Sequence, residues 1–273
     1  MTTSPYDPAQ AGGNASSRAA LSAFALDVVL AILLSFSTMM LGVFGWSVWR
    51  GVQLARQGND VSAAQLQSAV GTPPVLFLIL LTLVSTGGTA LVLYFWRRRA
   101  TPAEWSASWA AVQRFRTWWL VLLAGGATFL LSSLMSWVGR SLGLDLTPSN
   151  LELIEAGFAQ FPLFLALFAV VLAPLYEELL FRRVLFGRLW QAGRPLLGLV
   201  LSSLVFALVH EMPGLNGKPL ASTLFLITVY AGMAAVFTVV YRATGTLWAP
   251  VGAHILNNAL ALAVLQVYGG AQA

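Results

Sequence analysis

Residues 168–186 read FAVVLAPLYEELLFRRVLF, and the position of this stretch relative to a lipid bilayer decides the fold and the chemistry of the chain. Apart from Glu177, Glu178, Arg182 and Arg183, its side chains are apolar or aromatic. An acid or arginine at mid-bilayer costs about 2.5–3.5 kcal/mol on insertion scales, so several in one span imply partners or a use. Glu178 and Arg182 are four apart and can pair along one helix face, which leaves Glu177 turned about 100° away. The competing reading ends the helix near Tyr176 and places EELLFRR in the headgroups as a charged flank.

The rest of the chain favours the membrane. Of 273 residues, 58% are hydrophobic and 9% charged, against about 25% charged in soluble chains. Apolar runs predict spans at about 24–49, 73–96, 117–139, 158–180, 197–212, 221–241 and 246–267. The fold expected is an all-α polytopic transmembrane bundle of about seven spans. Residues 1–20 are expected to be a disordered tail, 21–145 an N-terminal membrane region, 146–267 the region that carries chemistry, and 268–273 a short tail. The run from Leu21 to Trp49 is too long for a signal-peptide core and is read as a retained first span. The net charge of +5 comes from clusters between apolar runs, which argues for topology signals and against nucleic acid. Arg50, Arg56, Arg140 and Lys218 fall on one side of this arrangement and the other basic residues on the opposite side. The larger group marks the cytoplasmic face and places the N-terminus inside. With no cysteine, disulfides, thiolate metal sites, haem attachment and a cysteine nucleophile are excluded.

Trp46, Trp49, Trp96, Trp118, Trp119, Trp137 and Trp248 lie where an interfacial belt is expected. Thr101, Pro102 and Glu104 have the spacing of a helix start, with Thr101 at N-cap, Pro102 at N1 and Glu104 at N3. Trp105, Trp109 and Val112 follow at helical spacing beside Arg114 and Arg116, which predicts a helix lying in the headgroup region. Ser149 and Glu152 repeat the capping-box spacing ahead of the fourth span. The pairs Gly87-Gly88 and Gly125-Gly126 are expected to allow close helix contact or bending.

The chain has two histidines, His210 and His254, each at the edge of an apolar segment. Asn258 follows His254 at i+4, which puts an imidazole and a carboxamide on one helix face, while Asn257 is turned toward packing. Peptide hydrolysis needs an activated water, a base and donors for the oxyanion, and these residue types supply all three. Other hydrolase patterns are absent. Gly45-Trp46-Ser47 is followed by Val48 and Trp49, not by a G-x-S-x-G glycine. His210-Glu211 is followed by Met212, Pro213 and Gly214, not by a second histidine. Asp27 is the one aspartate embedded in an apolar run, so an aspartyl dyad fails.

Glu177-Glu178-x-x-x-Arg182, Phe206-x-x-x-His210 and His254-x-x-x-Asn258 resemble, in order and spacing, the three motifs of the CAAX-protease and bacteriocin-processing (Abi) family of intramembrane endopeptidases. The resemblance covers roughly residues 160 to 265 and makes 146–267 a CAAX-protease-like membrane domain. It implies that Glu177 and His210 activate water, that His254 and Asn258 form an oxyanion hole, and that Glu178 and Arg182 brace the site. Phe206 would position its helix or shape a groove, or simply pack. Family members are described both as glutamate proteases and as metalloenzymes. No cofactor is needed in the first case, and in the second Glu178, His210 and His254 could hold zinc. The implied partners are the bilayer and a membrane-anchored or hydrophobic peptide substrate, with a bacterial plasma membrane as location. A transporter or proton-linked membrane protein, or a non-catalytic immunity protein, would use the same residues differently. One conflict stands within this reading: simple spans put Glu177 near the inner edge and His210 near the outer edge. It disappears if the fourth helix runs on through Phe186 and Trp190, with Pro174 as a kink.

Overall fold

The computed structural model describes residues 14–57, 70–214 and 217–269, and among them all regular structure is helical. In chain order the helices are α1 (Asn14–Arg56), α2 (Val75–Arg97), α3 (Pro102–Val112), α4 (Phe115–Ser141), α5 (Leu151–Gln160), α6 (Pro162–Gln191), α7 (Pro195–His210), α8 (Leu220–Thr244) and α9 (Trp248–Gly269). The expected N-terminal tail is helical from Asn14, and α9 reaches Gly269; the remainder of both tails lies outside the described residues. Among the described residues six helices are long and apolar enough to cross a membrane, and the apolar α7 is shorter. The chain is therefore an all-α polytopic bundle. Its tryptophans at positions 49, 96, 118, 119, 137 and 248 are exposed on the outside.

The expected span 158–180 is corrected, and the expected run 197–212 is the shorter apolar helix α7. The fourth spanning helix is α6, which runs 30 residues from Pro162 to Gln191 and continues through Pro174. Residues Phe168–Leu172 and Leu179–Phe186 are wound as π-helix, a wider turn that absorbs the missing proline N–H without ending the helix. Glu177 and Glu178 thus sit at the middle of α6. α7 then runs back over nearly as many residues as separate Glu177 from the end of α6, which brings His210 level with the glutamates.

Thr101 begins α3 as expected. Its Oγ1 accepts from the Glu104 N–H at 3.2 Å, the Glu104 carboxylate accepts from the Thr101 N–H at 2.8 Å, and Pro102 occupies the first turn. The Ser149–Glu152 capping box does not form. α5 starts after Asn150 with no side-chain cap, because Ser149 is taken by Glu211. The buried Glu211 carboxylate accepts from the Ser149 N–H at 2.8 Å and its Oγ at 2.6 Å, with Lys218 Nζ 3.3 Å away. A buried charge needs such donors more than an exposed helix start does.

Two ionic ties fasten α6 to the N-terminal helices. Asp27 of α1, with no exposure, pairs with Arg97 at the end of α2 and with Arg188 of α6. Arg183 of α6 donates to both Glu104 oxygens, at 3.0 and 2.7 Å, and to the Arg98 carbonyl at 3.1 Å. Between these ties, Ala90 and Leu93 of α2, Phe181, Val184 and Leu185 of α6, Phe206 of α7 and Ala234 of α8 form a core. The glycine pairs act through one member each. A Cβ on Gly125 would lie 2.9 Å from the Ala253 carbonyl of α9 and one on Gly87 3.3 Å from the Tyr176 ring, whereas Gly88 and Gly126 face open space.

Candidate active site

Glu178 and Arg182 are one turn apart on α6, with 0% and 1% exposure. Glu178 Oε2 lies 2.9 Å from Arg182 Nε, and its Oε1 is 2.9 Å from Nδ1 of His254. Arg182 Nη2 donates to the Ala234 carbonyl of α8 at 3.1 Å, and its guanidinium lies over the rings of Phe206 and Phe237 at 5.1 and 5.5 Å. Charge, hydrogen bond and cation–π contact together hold an arginine that lipid would otherwise reject.

The two imidazoles are held in a common way. Nδ1 of His210 is 2.9 Å from the Phe206 carbonyl. A carbonyl only accepts, so Nδ1 carries the proton and Nε2 presents a lone pair. Nδ1 of His254 is turned to the Glu178 carboxylate in the same sense, which fixes its ring. The His210 ring is sandwiched between Phe206, at 4.2 Å and 26°, and Tyr230 of α8, at 4.9 Å and 31°. His254 stacks on Phe237 at 4.7 Å and 21°.

Both Nε2 atoms face Glu177. Its Oε2 lies 3.9 Å from Nε2 of His210 and 3.9 Å from Nε2 of His254. These distances exceed a direct hydrogen bond and are short enough for one water to bridge. The Glu177 and His210 side chains are 16% and 21% exposed, against 0% for Glu178 and 5% for His254, so the accessible side of the cluster is the side where Glu177 meets His210. Asn258 lies one turn beyond His254 and donates from Nδ2 to the Ala169 carbonyl of α6 at 2.9 Å. Asn257, assigned to packing from the sequence, is buried and donates to Asn258 Oδ1 at 3.0 Å.

All six residues singled out from the sequence, Glu177, Glu178, Arg182, His210, His254 and Asn258, thus lie where α6, α7 and α9 meet. The zinc donor set Glu178, His210 and His254 does not fit a metal. Glu178 faces Nδ1 of His254 and Arg182, whereas both Nε2 atoms face Glu177. Sequence reasoning missed the α8 residues Tyr230, Ala234 and Phe237, which back both histidines and the arginine. Their i, i+4, i+7 stripe is the only trace they leave, and it is the trace of any core-facing face.

A cavity of about 640 Å³ is lined by Tyr176 but by none of the six residues of this cluster. It is walled by α2, α3, α6 and the start of α9, with Gly88, Leu91, Trp105, Leu175 and Val251 among its lining residues.

Two adjacent carboxylates, two imidazoles held through Nδ1 and an arginine thus meet inside a helical membrane bundle. Residues 159–260 match the family model described as "Type II CAAX prenyl endopeptidase Rce1-like". The chain is similar to "Membrane-embedded CAAX protease MroQ" of Staphylococcus aureus, 32% identical over 122 residues, which is 42% of this chain and 44% of that protein. It is also similar to "Putative membrane peptidase YdiL" of Bacillus subtilis, 28% identical over 112 residues, 41% of this chain and 39% of that protein. The chain thus spans less than half the length of these curated relatives. No solved structure matches. The matched segment runs from the end of α5 to just past Asn258 and contains the whole cluster.

Proposed function

We propose that the chain is an intramembrane endopeptidase that hydrolyses peptide bonds of membrane-associated substrates, with Glu177 as the general base. The observation that carries this reading is the pair of 3.9 Å distances from one Glu177 oxygen to two Nε2 atoms whose rings are fixed through Nδ1. A water held between Glu177 and His210 gives its proton to the carboxylate as its oxygen attacks the carbonyl carbon of the scissile bond. His254, its ring held through Nδ1 by Glu178, turns Nε2 toward the reacting carbonyl and takes part in stabilising the oxyanion. Collapse of the tetrahedral intermediate breaks the C–N bond, and the proton on Glu177 passes to the leaving amine. Arg182 holds Glu178 in place, as the charged partner of a buried carboxylate. The apolar cavity lined by Tyr176, the sequence neighbour of Glu177, would take a hydrophobic part of the substrate.

The test uses the purified chain in detergent or proteoliposomes with a quenched fluorogenic peptide carrying an apolar membrane anchor. Wild type is expected to release fluorescence with a single defined cut. Glu177→Gln is expected to lose about 10²–10⁴-fold in kcat, the range of a positioned general base. Unchanged cleavage by Glu177→Gln would refute the assignment of the base.

A further inference from the structure

Pro174 leaves one carbonyl of α6 without its helical donor, and α9 supplies a replacement. Around residues 168–172 the backbone bonds run from residue i to i−5, and the Ala173 N–H goes to the Phe168 carbonyl. In that register the Ala169 carbonyl would be served by the N–H of residue 174, and a proline has none. Asn258 Nδ2 donates to this carbonyl at 2.9 Å. Asn258 Oδ1 is held in turn by Asn257 Nδ2 at 3.0 Å, which fixes the way the carboxamide points. A backbone carbonyl inside a membrane bundle must find a donor within the protein, so this contact is a requirement of the fold at that depth.

α9 is thereby fastened to α6 at two points one turn apart on α9: Asn258 to Ala169, and His254 to Glu178. We propose that Asn258 is a positioning residue whose amide takes the place of the N–H that Pro174 lacks, and that this tie sets His254 opposite Glu177. The inference rests on the peptidase reading. It differs from the role implied by the family resemblance, in which the asparagine itself donates to the oxyanion.

Restoring an N–H at position 174 separates the two roles, because it gives Ala169 a donor without touching the substrate. Wild type, Pro174→Ala, Asn258→Ala and the double variant are purified in detergent and compared in kcat, KM and Tm on the anchored fluorogenic peptide. Expected is a loss of roughly 30-fold in kcat for Asn258→Ala when residue 174 is proline, shrinking to about 3-fold or less when it is alanine, with KM little changed. Asn258→Asp, which keeps the shape and loses the donor, is expected to follow the same pattern and serves if the alanine variant does not accumulate. An equal fold-loss in both backgrounds overturns the proposal and puts Asn258 on the substrate; no loss in either background also overturns it. A wild type that cleaves no peptide sinks the peptidase reading instead. The Tm cycle then still reads the tie, with non-additive shifts supporting it and additive shifts removing it.

Discussion

Glu177 and Glu178 are neighbours in sequence with opposite surroundings. Glu178 is sealed against Arg182 and His254, while Glu177 reaches the accessible side of the cluster. Removing the guanidinium leaves the buried Glu178 carboxylate with His254 as its one described partner, so Arg182→Ala is expected to cost about 3–5 kcal/mol of stability. Glu177→Gln should stay within about 0.5 kcal/mol of wild type. Thermal unfolding in detergent checks both, and an Arg182→Ala protein of unchanged Tm would show that Glu178 does not need its partner. Zinc chelation with 1,10-phenanthroline is expected to leave cleavage unaltered, since Glu178 faces Nδ1 of His254 whereas both Nε2 atoms face Glu177; activity lost and then restored by added Zn²⁺ would reverse that expectation. At this scale the sequence was informative where spacing is local. Glu178 with Arg182, and His254 with Asn258, are each one turn apart, and a helix places them side by side whatever surrounds it. Bonds to distant backbone leave no such mark. Nothing in the sequence tells that Arg182 seeks the Ala234 carbonyl, or that Asn258 seeks that of Ala169.

Among the helices, α6 is the one whose extent sequence periodicity understates. Its apolar run is interrupted by EE and RR, so an end near residue 180 looks natural, yet those charges are satisfied by other helices and the helix continues to Gln191. The requirement that Glu177 and His210 meet was the one hint of this length, and it came from chemistry rather than hydropathy. Asp27 belongs to the same lesson, since a lone aspartate in an apolar run reads as a cost until Arg97 and Arg188 are seen around it. Asp27→Ala is expected to destabilise the bundle by about 2–3 kcal/mol, less than for a fully sealed pair because both guanidinium groups reach the surface. A drop in Tm with kcat preserved on the surviving protein checks it; unaltered Tm would mean that α1 docks by apolar packing alone. Gly88 offers the corresponding test of the cavity. Its missing Cβ meets open space, so Gly88→Leu should fold normally and raise KM for an anchored peptide by about 5–10-fold, equivalent to roughly 1–1.4 kcal/mol of lost binding. An unchanged KM would place the substrate elsewhere.

For the molecule as a whole, the absence of cysteine makes orientation directly measurable. The orientation expected from the basic clusters, N-terminus inside, predicts that a single cysteine replacing Arg99 is labelled by an impermeant maleimide only in inverted vesicles, and one replacing Lys218 only in right-side-out cells or vesicles; the opposite pattern would invert the topology. The class of fold was legible from composition because 9% charge cannot cover a water-soluble surface. The number of full-length spans was less so, since α7 is apolar like a span and only its return path shows it to be short. α1 poses the remaining question of size. Its 43 residues extend about 65 Å at 1.5 Å per residue, whereas the hydrocarbon layer is about 30 Å thick. Unless it leans steeply, about half of that rod must stand clear of the hydrocarbon. Because the apolar run 24–49 lies within the rod, that excess is shared between its two ends, and each end reaches through the headgroup layer on its own side.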